Sequence, residues 1–379
     1  MIKKKSMNKL FSFFNSRPIW LVCERGDDAR DNGYWMFKYL QENHPEIDSK
    51  YVITRDSVDR KNLEPWSKDV LTNKSWKLLF YLIKTECFLT AHFFRIDYYL
   101  PRLPKIGRFI WSLFNCKTTI RLQHGITKDD LRKGYKKENI KTNIFICGAV
   151  PEYEYLKQQQ IFPPESYRYT GFARYDGLVN EAEGNRQILI MPTWRLWIKT
   201  EEAFLQSDYY RAYVSLLTDA HFQQFLQQNG LHVVFYMHYE FQKYTGVFTR
   251  LNLPSCITIA TQKEYDVQAL LRQSNLLVTD FSSVAFDFAY LQKPLIYYQF
   301  DEENYRKGHY SKGYFDYHEG LGPWTAHKDA LLHEIEKCVV SKFEMENKYR
   351  ERVNKFFTYH DQNNCERIYQ EVIRTIRIK

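Results

Sequence analysis

Leu276-Leu277-Val278-Thr279-Asp280-Phe281-Ser282-Ser283-Val284-Ala285-Phe286-Asp287 runs from an apolar strand through a polar turn into a helix. The pattern predicts a buried strand at Leu276 to Val278 and a helix that turns Val284, Phe286 and Ala289 toward a core. The turn between them holds one carboxylate, Asp280, and two hydroxyls, Ser282 and Ser283. A helix start carries unpaired N–H groups and partial positive charge, so such a turn suits a phosphate or pyrophosphate. The plainer reading is a helix cap, because Asp and Ser cap helices in all settings. Downstream, Lys293-Pro294-Leu295-Ile296-Tyr297-Tyr298 reads as a second strand. Together they form a β-turn-α-β unit with its polar residues at the carboxyl end of a strand. In open parallel sheets, ligands bind along that edge.

The same alternation runs through the chain. Ile19 to Cys23, Tyr51 to Thr54, Cys87 to Thr90, Thr118 to Leu122 and Ile144 to Cys147 read as strands, with helices near Tyr34 to Gln41 and from Pro151 to about Gln160. A polar stretch, Asn180 to Arg186, separates this series from a second one. That series has strands at Ile188 to Met191, Leu231 to Tyr236 and Cys256 to Ala260, and helices at Asp208 to Gln228 and Tyr265 to Ser274. Alternation of this kind predicts an α/β protein with two doubly wound parallel-sheet halves and a cleft between them. The expected domains are a basic amphipathic segment at 1–18, halves at 19–180 and 181–345, and C-terminal helices at 346–379.

Composition narrows the function classes. The 379 residues suffice for two cores, and 44% hydrophobic with 26% charged content is ordinary for globular proteins. The 29 Tyr and 27 Phe are unusual. They suit ring stacking or a membrane interface, or, more plainly, an aromatic core. The net charge of +9 is concentrated in two windows. Met1 to Arg17 has five Lys or Arg and no acid, and Arg102 to Lys141 has eleven Lys or Arg against three acids. Local excess of this kind points to a polyanion or an anionic membrane surface. The N-terminal window, with Phe11, Phe13 and Phe14, reads either as a surface anchor or as a frayed tail. Seven scattered cysteines without a Cys-x-x-Cys pair argue against a disulfide framework and a zinc site, and fit a reducing cytosol. No apolar run is long enough to span a bilayer, and no nucleic-acid reader module is present.

Several strand ends carry chemistry. Gln123-His124-Gly125 follows one strand and Met237-His238-Tyr239 another. Histidine titrates near neutrality and is the usual general base, although a lone histidine is more often structural. Met191-Pro192-Thr193-Trp194-Arg195 ends a third strand with a hydroxyl and a guanidinium, the natural phosphate clamp. Thr170-Gly171-Phe172-Ala173-Arg174-Tyr175-Asp176 joins the halves. Phosphate-binding Gly-rich loops, nucleophile elbows and metal-ligand helices are absent. The remaining set suits transfer from a phosphorylated donor without an obligatory metal or cofactor.

Taken in order, these motifs resemble the CDP-glycerol glycerophosphotransferase family, the teichoic-acid and capsule poly(polyol phosphate) enzymes. Glu24-Arg25-Gly26-Asp27-Asp28-Ala29-Arg30-Asp31-Asn32-Gly33-Tyr34 belongs to the same resemblance, which runs from about Ile19 to Arg367. It implies a GT-B-like fold and a peripheral enzyme on the cytoplasmic face of a bacterial membrane. It implies transfer of glycerol phosphate or ribitol phosphate from CDP-glycerol or CDP-ribitol to a lipid-linked glycan acceptor, with release of CMP. The CDP-polyol is then a substrate and no cofactor is expected. The resemblance assigns catalysis to His124 and His238. It places the donor's phosphates on the turn Asp280 to Ser283, with Ser282 and Ser283 donating; the chemistry of the strand-end residues adds Gly125, Thr193 and Arg195 to the expected donor site, with Arg174 and Asp287 as further candidates. The rivals are a GT-B glycosyltransferase using a nucleotide sugar and a non-catalytic binder of anionic polymer or membrane.

Overall fold

The structure, a computed structural model, describes residues 17–92, 117–132, 142–309 and 311–377. The expected basic anchor at 1–18 falls almost wholly outside these residues, as does much of the window from 102 to 141. Two compact units divide the chain. The first holds residues 17–92, 117–126, 142–177 and 359–377; the second holds 127–132, 178–309 and 311–358.

The first unit contains β1 (Ile19–Cys23), α1 (Asn32–Asn43), β2 (Asp48–Ile53), β3 (Val70–Thr72), α2 (Trp76–Lys84), β4 (Cys87–Thr90), β5 (Thr118–Arg121), β6 (Ile144–Cys147), α3 (Val150–Gln159) and β7 (Tyr167–Tyr169). All pairings are parallel, in the order β3-β2-β1-β4-β5-β6-β7. Every residue of β1, β4 and β6 is buried, which explains their unbroken apolar runs: a parallel sheet is covered on both faces.

The second unit repeats the plan. It comprises β8 (Gln187–Ile190), α4 (Glu201–Leu205), α5 (Asp208–Leu217), α6 (Ala220–Gln228), β9 (His232–Tyr236), α7 (Thr245–Thr249), β10 (Ile257–Ala260), α8 (Val267–Gln273), β11 (Leu276–Thr279), α9 (Val284–Tyr290), β12 (Leu295–Tyr298), α10 (Glu302–Gly308), β13 (Trp324–Thr325), α11 (Lys328–Val340) and α12 (Asn347–Phe356). The strand order β10-β9-β8-β11-β12-β13, again wholly parallel, is that of a Rossmann-like sheet. The order reverses between β8 and β11, and Thr193 and Asp280 emerge at that reversal, the place where open parallel sheets commonly bind ligands. Much of the aromatic content is spent in this core: Phe204, Tyr209, Tyr213, Phe235, Phe241 and Phe248 are all buried.

Three expectations change. The helix expected over Asp208 to Gln228 is two helices, because the Asp219 carboxylate accepts from the N–H of Phe222 (3.0 Å) and starts α6 afresh. The C-terminal helices do not form one unit. In α12, Phe356 stacks on Phe286 of the second unit at 5.2 Å. The final helix, α13 (Asn364–Arg377), belongs to the first unit, where Asp176 accepts from the N–H groups of Asn364 (2.9 Å) and Cys365 (2.8 Å). Gly171 in that motif has φ +77°, and a Cβ there would collide with Asn364. Lys293, finally, was expected to open a strand, but β12 begins at Leu295; Lys293 is buried and donates to the carbonyls of Leu271, Arg272 (3.0 Å) and Ser274 (2.6 Å), capping the C-terminus of α8.

Candidate functional site

In the first unit, His124 follows β5 after Gln123, whose φ of +62° places it in the left-handed region. The ring stacks on His92, which follows β4, at 4.5 Å and 20° between planes. A ring N–H bonds the backbone carbonyl of Ala91, which leaves the other nitrogen to accept a proton. The ring keeps solvent access. Even so, desolvation by the surrounding protein, followed by the charges of Arg25, Arg174 and Arg121, lowers its pKa to about 4. His124 is therefore neutral at physiological pH. Gly125 is buried at the turn that follows. Arg174 is also buried, packed on Phe172, with Nη1 2.9 Å from the Asp31 carboxylate.

In the second unit, the ends of β8 and β11 are locked together. Asp280 is fully buried, and its Oδ1 accepts from the N–H of Thr193 (2.8 Å) and of Phe281 (2.6 Å). Its carbonyl accepts from Gln299 Nε2 (2.9 Å). Its Oδ2 pairs with Arg195 Nη1 at 2.8 Å. Asp280 thus orients the turn. Ser282 and Ser283 stand half-buried beyond it: Ser282 Oγ accepts weakly from Val284 N–H (3.4 Å), and Ser283 makes no capping bond to α9. Thr193 Oγ1 is buried with no hydrogen-bond partner among the described residues. Asp287 is buried within α9.

Arg195 departs from its expected role. Its guanidinium has no solvent exposure and makes a two-point contact with Asp301, 2.7 Å for each nitrogen, while Nη1 also donates to the Thr193 carbonyl (2.6 Å). With no solvent exposure, the guanidinium does not face a ligand and cannot clamp a phosphate. Arg195 instead holds the two strand ends in register through Asp280 and Asp301. The motif could not reveal this, since Asp301 lies 106 residues away.

His238 follows β9 and stacks parallel to Trp194 at 6.0 Å. Its Nδ1 accepts from Glu240 N–H at 3.3 Å, so Nε2 is the donor. The structure adds a residue the sequence reading missed, His309, just past α10. It meets Trp194 edge-on at 5.2 Å and stacks on Tyr305 at 4.8 Å. Its Nδ1 accepts from Leu196 N–H (3.3 Å). Burial, then Arg195 and Lys128, lower its pKa to about 4. The only available signal was a histidine near Arg306 and Gly308, and it follows no strand. Among the described residues, no group of three or more His, Cys, Asp or Glu could hold a metal ion.

A profile of the CDP-glycerol:poly(glycerophosphate) glycerophosphotransferase family matches residues 5–374, nearly the whole chain. The chain belongs to this family. Among its relatives within teichoic-acid biosynthesis, the chain is 32% identical to the minor teichoic acid biosynthesis protein GgaB of Bacillus subtilis (strain 168), over 98% of this chain and 42% of that protein. It is 24% identical to a teichoic acid poly(glycerol phosphate) polymerase of Bacillus spizizenii (strain ATCC 23059 / NRRL B-14472 / W23), over 90% of this chain and 87% of that one. The chain therefore spans less than half the length of GgaB. The solved structure of the wall teichoic acid polymerase TagF superposes with a TM-score of 0.67 at 17% identity, covering 99% of this chain and 96% of that one. The two Rossmann-like units are those of a GT-B-like family fold.

Proposed function

We propose that the chain transfers a polyol phosphate from a CDP-linked donor to a hydroxyl of a membrane-linked glycan or teichoic-acid or capsule acceptor. Glycerol phosphate is the favoured group, because the Bacillus spizizenii relative bears a poly(glycerol phosphate) polymerase name; ribitol phosphate is the variant. The acceptor oxygen attacks the phosphorus that bears the polyol. A new P–O bond forms, the P–O bond to the CMP phosphate breaks, and CMP leaves with the bonding electrons. The acceptor proton passes to neutral His124, at the ring nitrogen that does not bond the Ala91 carbonyl. The donor's phosphates lie against the second unit, where the Ser282 and Ser283 hydroxyls and the His238 Nε2–H supply hydrogen bonds as charge moves onto the leaving group, while Thr193 fixes the β8 end beside them through its N–H to Asp280.

One observation supports this reading above the others: the β8 and β11 ends, at the reversal of strand order, are braced from beneath by a buried Arg195–Asp280–Asp301 network. Such bracing keeps neutral donors in place for a charged ligand at little reorganisation cost. Among the described residues no helix is long and apolar enough to cross a membrane. We assign the enzyme to the cytoplasmic membrane face as a peripheral protein, held by the basic windows around residues 1–17 and 102–141.

The test is kinetic. His124→Ala and His238→Ala should each lower turnover by about 100-fold or more, the scale of losing a positioned acid, base or charge stabiliser. Two folded variants with near wild-type rates would remove the mechanism.

A further inference from the structure

We infer that Asn32 is a positioning residue for His124: its buried side-chain amide holds the turn that presents the imidazole and ties that turn to the Arg174 segment. The inference rests on the reading of His124 as the base.

Asn32 is the first residue of α1 and is wholly buried. Its Nδ2 donates to the carbonyls of Gln123 (2.7 Å) and Leu122 (3.3 Å), the two residues before His124. Its Oδ1 accepts from the backbone N–H of Arg174 (3.0 Å). The partners fix the amide orientation, since carbonyls require a donor and an N–H an acceptor. These contacts reach 90, 91 and 142 residues along the chain, so local helix geometry does not call for them.

Nor does the helix start need this side chain. Asp31 Oδ1 already accepts from Asn32 N–H (2.8 Å). The Glu24 carboxylate takes the N–H groups of Arg30 (3.1 Å), Asp31 (2.9 Å) and Tyr34 (2.7 Å). Gly33 lets α1 begin close against the end of β1, because a Cβ there would lie 2.8 Å from Glu24 Cγ and 3.0 Å from the Cys23 carbonyl. The amide of Asn32 is thus released to bind the end of β5.

What it binds there is strained. Gln123 has a left-handed φ, which a side chain with a Cβ resists. That conformation persists only if neighbours enforce it, and Asn32 grips the carbonyl on each side of the Gln123 Cα. The backbone so held sets where His124 stands: against the Ala91 carbonyl and the His92 ring, and near the charges of Arg25, Arg121 and Arg174. Releasing the turn frees the ring from all of these at once.

The test combines kinetics with NMR of ring-labelled histidine, with the His124 signal assigned through His124→Ala. In Asn32→Ala, kcat should fall at least tenfold while the KM for CDP-glycerol stays within about twofold, because Thr193, Ser282 and Ser283 are held without Asn32. The His124 titration should move up toward the ordinary histidine value. Adding Gln123→Gly should restore much of both, since glycine adopts the left-handed turn unaided. If Asn32→Ala does not fold, Asn32→Ser is compared in the same way. An unchanged His124 titration in the folded variant, or a loss that Gln123→Gly leaves untouched, would overturn the inference. If His124→Ala is itself fully active, the base reading fails, and the NMR arm alone still decides whether Asn32 positions the ring.

Discussion

Arg195→Met offers the sharpest test of the braced strand ends. Arg195 makes four short contacts: two to Asp301, one to Asp280 and one to the Thr193 carbonyl. At about 1.5–3 kcal/mol for each of the three charge-assisted hydrogen bonds, to Asp301 and the Thr193 carbonyl, their gross worth exceeds any net effect, because removing the arginine also relieves its desolvation. Breaking a buried pair costs about 3–5 kcal/mol. Here two buried carboxylates lose their cation, although Asp280 keeps the N–H groups of Thr193 and Phe281. The upper end of the range, about 4–5 kcal/mol, is therefore expected. For a unit of this size that is a fall of about 8–20 °C in melting temperature. Thermal melts by circular dichroism would measure it, and the shift should fall in one transition if the units melt separately. Asp301→Leu added to Arg195→Met removes one stranded carboxylate and should recover part of the loss. Donor affinity should also fall, because Asp280, still bonded to the Thr193 and Phe281 N–H groups but deprived of its cation, holds the serine turn less firmly. A single variant within about 1 kcal/mol of wild type would refute the reasoning, since a stranded buried charge cannot cost so little.

Three further outcomes follow from the same geometry. His124 acts in its neutral form, and its pKa is lowered to about 4, so kcat/KM should stay level as pH falls through the ordinary histidine range and drop only near pH 4; an acid limb near 6.5 would contradict the desolvation of the ring and the placement of Arg25, Arg174 and Arg121 around it. Replacing Ser282 and Ser283 together with Ala should weaken binding of a non-transferable CDP-polyol analogue by about tenfold, two hydroxyl donors' worth, while acceptor binding is spared; calorimetry that finds equal affinity would reduce the turn to a helix start. Flotation should require anionic vesicles and decline in high salt, and deleting residues 1–17 should weaken it without loss of activity on a soluble acceptor; equal flotation on neutral vesicles would exclude electrostatic attachment.

The strands were legible because a parallel sheet buried on both faces leaves unbroken apolar runs, as in Ile19–Cys23, Cys87–Thr90 and Ile144–Cys147. Strands of three residues, Val70–Thr72 and Tyr167–Tyr169, carry too few residues to show a period and were missed. The break between α5 and α6 is hard to read because Thr218 ends one helix and Asp219 starts the next with no glycine or proline to mark it. At the site, strand-end position was readable for His124, His238, Thr193 and the serine pair. Side-chain direction was not. Arg195 reads as a clamp from its motif, and only Asp301, far along the chain, turns it inward. Asn32 lay inside a quoted motif, yet its partners are the ends of other elements. His309 gained its place only through the packing of Trp194 and Tyr305.

The central claim is tested most directly by incubating the purified protein with CDP-glycerol or CDP-ribitol in turn and a synthetic lipid-linked glycan acceptor. CMP release and the mass of the lipid product are followed together. The account predicts CMP formed in step with an acceptor heavier by one or more polyol phosphate units, with nucleotide sugars inert. Sugar transfer from a nucleotide sugar, or no acceptor-dependent CMP from either CDP-polyol, would contradict it.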